Sequence, residues 1–541
     1  MLCRRSWTAA SVAVAVILAT AGCTGGSDDD PPSGGPVIGI GAPRSLLPSD
    51  TVDVSGSQIL DALFYPLVTF SEKGEPLPAA AESVTADKSA RTWTIKLKSG
   101  FTFHNGEAVT ADNYINAWNY GAYGPNAQSG ASSFERIEGY ADLQSRDPDG
   151  ADGPEQAPPP KATALTGLKK VDDTTFTVTL SSPFAGWASL LNGPAFYPLP
   201  KSAFRAPNEL ADGYDRALVG NGPFKLTEPV GDGTELRMTR VSGFAGTQPK
   251  VESLTWKIYS DLGEAYDDLK AGDLDVLPEV PSDRLAKAPA ELGDRLQKSP
   301  NSTFTFVGVP VQRPEFAKPE VRRALSMAID RDQLAEQLFH GAETPATAFV
   351  SPVVPGYRQG TCDYCTHDPD KAKSLYASAG GPPSLTIAYN EAPGHRAVIE
   401  EVCRQIGAAL GVECTPAGRK TVSEMLVNAE ERRAGDLTRM SWTMNYPLME
   451  SYLAPVYGTG GSVNVHGYSN SAYDSLVTAG SAATTRAAAV TKWRDAEDIL
   501  AQDMPILPLF FGQNVYGHSK RVTNVAIDSA QRVDLFRIQL V

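Results

Sequence analysis

The chain has 541 residues, with 48 Lys and Arg against 63 Asp and Glu and a formal charge of −15. An acidic balance of this size argues against nucleic acid as a partner, because phosphates demand basic patches. The length is enough to bury a large core spread over several subdomains.

The first residues read as an export signal. Arg4 and Arg5 precede an apolar run, Ala13 to Ala19, and the stretch ends in Ala21-Gly22-Cys23. A basic start, a short apolar core and small residues before a cleavage point are the layout of a secretory signal, here residues 1–22. The run is well short of the roughly 20 residues that a spanning helix needs. Cys23 after small residues resembles a bacterial lipobox, whose cysteine is lipidated and becomes the mature N-terminus. Thr20 stands where such boxes prefer Leu. Residues 23–36 are acidic and rich in Gly and Pro, which suits a flexible tether. No later run is apolar enough to span a bilayer, so the expected membrane link is the lipid alone.

Further along, Gly39-Ile40-Gly41 opens like a dinucleotide-binding loop, but Arg44 occupies the third glycine position. Thr92 to Lys98 alternates like a half-buried strand. Phe101 to His104 reads as the next strand, followed by the turn signal Asn105-Gly106. Thr110-Ala111-Asp112 caps a helix through Tyr114, Ile115, Trp118 and Asn119. Asp147 to Pro160, rich in Asp, Gly and Pro, is expected as a surface loop. Asp172 to Leu180 is another alternating strand. Pro319 to Phe339 predicts an amphipathic helix pair, in which the run Arg322 to Ile329 buries an apolar stripe and exposes its arginines. Mixed strands and helices without a repeat period indicate an α/β architecture.

Six cysteines reduce to four structural ones once Cys3 leaves with the signal and Cys23 carries lipid. An even number suits an oxidising compartment. Cys403 lies in a helical pattern that Gly411 stops, and Cys414 follows on the next strand. A helix and the strand after it run antiparallel, so these two cysteines can meet. Cys362-Asp363-Tyr364-Cys365 sits in a Pro/Gly-rich loop and reads as a loop staple in preference to a redox or zinc motif. A zinc site would want a second close pair or clustered histidines. His104, His340, His367, His395, His466 and His518 are scattered without ligand spacing and are expected at the surface or in caps. There is no HExxH, no GxSxG and no Walker-type loop. No catalytic residue, metal or cofactor is expected.

Seven stretches, in order, resemble the family 5 extracellular solute-binding proteins, the peptide-binding components of ABC importers. They are Ile59 to Val68, Leu77 to Ser83, Phe101 to Glu107 with Thr110 to Asp112, Gly220 to Leu226, Leu269 to Asp275, Val321 to Arg331, and Met504 to Phe510. The resemblance implies a two-lobe, type II, cluster C periplasmic-binding-protein-like fold with an extra subdomain inserted in lobe one. Lobe one is expected at 37–305 with the insertion at about 57–195. Lobe two is expected at 306–505, with a return to lobe one at 506–541. Crossing strands are placed near Thr303 to Val309 and Pro508 to Phe510.

The resemblance also places the ligand. In peptide binders of this family the segment matching Ser441 to Pro447 commonly reads W-x-x-D-Y-P, and its aspartate pairs with the peptide's amino group. Here Asn445 holds that position, with Asp53 or Glu450 as alternative sources of charge. Trp442 and Tyr446 are expected to wall the cleft. The backbone around Gly460 and Gly461, and the segment Thr51 to Ser57 with Asp53 and Ser57, complete the expected site. The implied partners are a peptide or other small solute and the transmembrane subunits of an ABC permease. The implied setting is a lipid-anchored monomer on the outer face of the cytoplasmic membrane. A sugar, an opine or a metal chelate remains an alternative ligand, and an enzyme or sensor on this fold an alternative role.

Overall fold

The computed structural model describes residues 34–71, 73–145, 157–421, 423–424 and 437–541. The signal, Cys23 and most of the 147–160 loop lie outside the described residues. Two strands of 13 residues, Leu296–Gly308 and Ile506–His518, run antiparallel through the centre of the main sheet. Ile506 to Phe511 is apolar at every position and buried on both faces, which is why it does not alternate. Val276–Leu277 pairs with the second of these strands and leads to Val37–Gly41, Ser253–Tyr259, Glu235–Arg240 and Phe224–Leu226. Leu437–Trp442 pairs with the first and leads to Ser384–Asn390 and Glu413–Arg419.

A separate sheet runs in the order Ala81–Ala86, Thr92–Leu97, Thr175–Thr179, Leu168–Lys170. The helix Ala111–Ala122 covers it, setting Tyr114 and Trp118 against Phe176 at ring distances of 5.7 and 5.5 Å. The Asn113 carboxamide accepts from the Thr110 backbone N–H at 2.7 Å, closing the helix start that Thr110 signals. The strand expected at Phe101 to His104 is reduced to a single bridge, Thr102 to Ala108. The Asn105-Gly106 turn closes so tightly that Phe103 N–H already reaches Glu107 O, and His104 N–H is drawn to Gly220 O. Asp172 to Thr174 is a turn, and the strand behind it is confined to Thr175–Thr179.

Pro319 to Phe339 does form two helices, Pro319–Met327 and Arg331–Phe339, separated where Asp330 caps the second through Gln333 N–H. The expectation that the arginines of this run point outward is corrected for Arg322, and the neighbouring Arg331 is buried too. They are only 4% and 3% exposed. Arg322 donates to the carbonyls of Phe316, Ala317, Asp503 and Met504. Arg331 donates to those of Ser326, Ile329, Cys365 and Pro508. The last carbonyls of a helix have no intrahelical donors, and a guanidinium with five N–H groups satisfies several at once. Burial without a contacting carboxylate pulls both down, to about 10 for Arg322 and about 9 for Arg331.

Both expected disulfides are present. Cys403 on the helix His395–Leu410 bonds Cys414 on Glu413–Arg419, and Cys362 bonds Cys365. The second cuts across a short loop held by Cys365 N–H to Cys362 O, so the CxxC is a staple.

The surface expectation for the histidines fails at His466. It is 3% exposed, sits against Gly308 and the Tyr457 ring, and among the described residues neither ring nitrogen meets a partner. Burial pushes it down to about 3, so the folded chain holds it neutral. Between about pH 6.5 and 3 the unfolded chain takes up a proton that the folded chain refuses, so stability falls as pH falls through that window. By pH 4.5 the loss attributable to this group is about 2–3 kcal/mol. We expect urea unfolding at pH 7 and 4.5 to show a smaller acid-induced loss for His466→Phe than for the natural chain. Equal losses would mean that His466 does not govern acid sensitivity.

Candidate ligand-binding site

Leu437–Trp442 has one edge paired and one edge open. Its residues Thr438 to Trp442 pair with Gly308 to Phe304. On the other side, Ser384–Asn390 pairs only at Leu437 and Thr438 and then continues beside Glu413–Arg419. Among the described residues no strand pairs with that edge from Arg439 to Trp442. Such an edge carries backbone donors and acceptors that an added extended chain can satisfy.

Two charged side chains were not singled out from the sequence: Arg439 on this strand, and Glu343, which the two long strands separate from it. Arg439 has no hydrogen bond or ion pair to the protein among the described residues, and its Nε is sealed from solvent. Burial pulls its guanidinium down to about 10, against the pull of Glu343. Glu343, on the short strand Glu343–Pro345, is pushed up by burial to about 7, and Arg439 counters part of that rise. Its Oε2 is likewise sealed and unpartnered. Both residues still keep part of their surface in solvent. His395, at the start of its helix, is pushed down to about 4, first by burial and then by the Arg439 charge. The only local signal for Arg439 is a cation among the buried Leu437, Thr438 and Met440.

The segment after the strand is pinned by its own side chains. Trp442 Nε1 donates to Ser451 O at 2.6 Å, and Asn445 N–H donates to Ser451 Oγ at 2.9 Å. That turn leaves the Asn445 side chain exposed. Tyr446 donates to Glu450 Oε2 and packs edge-on against Phe184 at 6.1 Å. Glu450 is 2% exposed and already occupied by Tyr446 and by Arg136 at 2.7 Å.

Asp53 caps the helix Val54–Leu63, accepting from Gly56 N–H at 2.8 Å and Arg44 N–H at 3.2 Å. Ser57 Oγ donates back to Asp53 O at 2.8 Å. The same loop exposes two apolar side chains, Val52 and Val54. Gly460 takes a positive φ of 75° in an open turn. Gly461 lies where a Cβ would strike the carbonyls of Ala454 and Pro455. Trp442, Asn445 and Tyr446 therefore share one turn, Asp53 and Ser57 share one helix cap, and the two glycines share a third segment. Among the described residues no hydrogen bond or ion pair joins these groups to one another. A hollow of about 660 Å³ between Thr234, Lys257, Tyr259, Glu264 and Asp268 lies elsewhere. Lys257 and Tyr259 there both bond Asp268, so its central charges are mutually satisfied.

Residues 75–464 match the model described as bacterial extracellular solute-binding proteins, family 5 middle. The chain belongs to this family. It is similar to the dipeptide-binding protein DppE of Bacillus subtilis (strain 168), 26% identical over 88% of this chain and 86% of the relative. The fold matches the MppA periplasmic murein tripeptide-binding protein in its unliganded open form. That likeness has a TM-score of 0.80 at 23% identity and covers 94% of this chain and 99% of the other. OppA of Haemophilus influenzae in complex with RPPGFSPFR gives 0.68 at 23% identity, covering 93% and 98%. The architecture is therefore the two-lobe α/β fold of these proteins.

In this solute-binding protein the pair Arg136–Glu450 joins segments more than 300 positions apart in the chain. Phe184 stacks under the Arg136 guanidinium at 4.2 Å, and Gly186 approaches Leu448 so closely that a Cβ would collide. Arg486 adds a second tie, to Glu75 at 2.9 Å and to the carbonyls of Gly74 and Pro447. Burial opposes the charge on Arg136, but Glu450 together with Tyr446 and Glu135 outweighs it and holds the pKa above the ordinary arginine value. Removing one partner leaves the other uncompensated, whereas removing both does not. Glu450→Gln is expected to cost about 2–3 kcal/mol by denaturant unfolding, and Arg136→Met with Glu450→Gln less than the sum of the two single changes. A single-variant cost below about 0.5 kcal/mol would show that the pair does not tie these segments.

Proposed function

We propose that this chain captures short peptides in extended form between its two lobes and passes them to the transmembrane subunits of an ABC importer, without chemistry of its own. The observation that carries this reading is the open edge from Arg439 to Trp442. Backbone pairing along it binds any peptide main chain with loose side-chain preference. Arg439, without a contacting carboxylate among the described residues, is the group we assign to the ligand's carboxylate. Asn445, exposed just beyond the strand end, is assigned to the amino end, with Trp442 and Tyr446 beside it. The Val52–Ser57 loop and the Gly460–Gly461 turn are assigned to the facing and flanking walls. Lobe one is taken as 37–305 with 506–541, including the insertion at about 57–195, and lobe two as 306–505. Closure about the crossing strands is the corresponding motion.

Asn445 accepts a hydrogen bond from an ammonium but brings no charge. In calorimetry with trialanine, the natural chain is expected to bind the free peptide and to lose about tenfold or more on carboxy-terminal amidation. Asn445→Asp is expected to strengthen the free peptide about fivefold to tenfold and to leave the N-acetylated one little changed. Equal changes for both would remove Asn445 from the amino end. Absence of binding across a panel of di-, tri- and tetrapeptides would overturn the peptide reading.

The anchoring is part of the same proposal. Cys23, after Ala21-Gly22, supports a lipid-held protein on the outer face of the cytoplasmic membrane. Cys23→Ala is expected to release the protein into the medium or leave it unprocessed, read by fractionation and mass. Unchanged membrane retention would overturn the lipoprotein assignment.

A further inference from the structure

The insertion taken as about 57–195 is held on two sides. Toward lobe one, Asp61 pairs with Arg532 at 3.1 Å, Asn192 Oδ1 accepts from the same guanidinium at 2.9 Å, and Gln58 accepts from Val533 N–H at 3.2 Å. His104 N–H reaches Gly220 O, and its ring lies between Gly220 N–H and Gly222 O. Toward lobe two, Arg136 pairs with Glu450, Glu75 pairs with Arg486, and Ala185 N–H donates to Ser481 O at 3.1 Å. A rigid body fixed to both lobes would keep them from turning about the crossing strands, so one set of ties has to open when the cleft does.

The two sets differ in how deeply they are built in. On the lobe-one side, Gly220 and Gly222 press on the Leu63 backbone so closely that a Cβ at either would collide with it, and Leu63, Gln58 and Asn221 are buried. On the lobe-two side, the close approaches of Gly186 and Gly74 are to side chains, those of Leu448 and Pro355. The Glu75 side chain there is 54% exposed and that of Arg136 24%. Solvated ion pairs contribute little each, and relative motion is the default between domains joined by polar contacts. The lobe-two half of this set also belongs to the turn assigned to the ligand. Glu450 accepts from Arg136 and from Tyr446, the residue after Asn445, and Pro447 O accepts from Arg486 at 3.1 Å.

We infer that the contacts of the insertion with lobe two are a latch, which parts when the cleft opens and re-forms when a ligand settles on the Trp442–Tyr446 turn. This rests on the lobe division above and, for what settles on the turn, on the peptide reading. A ligand that fixes the turn favours the shut latch, and by linkage the shut latch holds the ligand.

The full mature chain carrying Ala185→Cys with Ser481→Cys tests it, since backbones this close can accept a disulfide. Uptake and release of radiolabelled trialanine are expected to slow about tenfold or more when the introduced pair is oxidised, relative to the same protein reduced. The natural chain under both conditions is the reference for its two native disulfides. Equal exchange in the bridged and reduced forms would overturn the inference while leaving peptide binding intact. A second measurement needs no ligand. Arg486→Glu sets like charge against Glu75, and small-angle scattering from that protein, peptide-free and in a preparation that still melts cooperatively, is expected to give a larger radius of gyration than the bridged protein. Equal radii would overturn the latch whether or not any peptide binds. If no short peptide binds, the peptide reading fails, and the two radii decide the latch without it.

Discussion

Leu296–Gly308 and Ile506–His518 are in register at both ends and out of register in the middle. Pairing runs from Leu296–Gly517 to Pro300–Gln513, breaks, and resumes from Phe304–Phe511 to Gly308–Ile506. The break holds Asn301, Ser302 and Thr303, all in a conformation fixed from several directions. Asn301 Oδ1 accepts from Thr303 N–H at 2.8 Å and lies so close to Gly512 that any side chain there would collide. Ser302 N–H donates to Ser529 O, while Ser351 and Tyr452 donate to the carbonyls of Asn301 and Ser302. A bulge changes the direction and twist of a strand without ending it. Here it lets one pair of strands serve both halves of the sheet, and it puts the irregular backbone where segments from 351, 452 and 529 converge.

The buried arginines depend on that same pair. Arg322 gathers carbonyls at the end of the helix Arg486–Asp503, just before the chain enters Ile506–His518. Arg331 reaches Pro508 O inside that strand, where the bulge between Thr305 and Phe306 disturbs the ladder. Proline has no N–H, so regular pairing is already interrupted there, and the guanidinium satisfies an acceptor that the ladder leaves over. The arginines thus hold helix ends and strand in place. Their lack of contacting carboxylates follows from acting as donors to carbonyls, which need no counter-charge to be satisfied.

Much of this was legible because it is local. Alternation located Thr92–Leu97, a cap located Ala111–Ala122, and the helix-to-strand order brought Cys403 to Cys414. Arg322 misled because, read along the chain, a charge at helical spacing looks solvated; two of the carbonyls that hold it, those of Asp503 and Met504, come from about 180 positions away. His466 misled for the same reason, since Gly308, distant along the chain, packs against it. Among the proposed ligand groups, the aromatic turn at Trp442 to Tyr446 was visible as a motif. Arg439 was not, because what marks it is a missing partner among the described residues, and a missing partner shows only in three dimensions.

These two kinds of group divide the work of recognition in the site proposed here. A strand edge offers the same donors and acceptors to every peptide, so it supplies affinity with little discrimination. Discrimination then has to come from side chains that the folded protein leaves unsatisfied. Asp53 and Glu450 do not qualify, since a helix cap uses the first and Arg136 with Tyr446 uses the second. Asn445 carries no charge, so the amino end of a ligand gains a hydrogen bond there but no ion pair. Arg439 lies beside the open edge and makes no ion pair with a carboxylate among the described residues. It therefore favours an anionic group at that point, and the carboxyl end, more than the amino end, should set the register of a bound peptide.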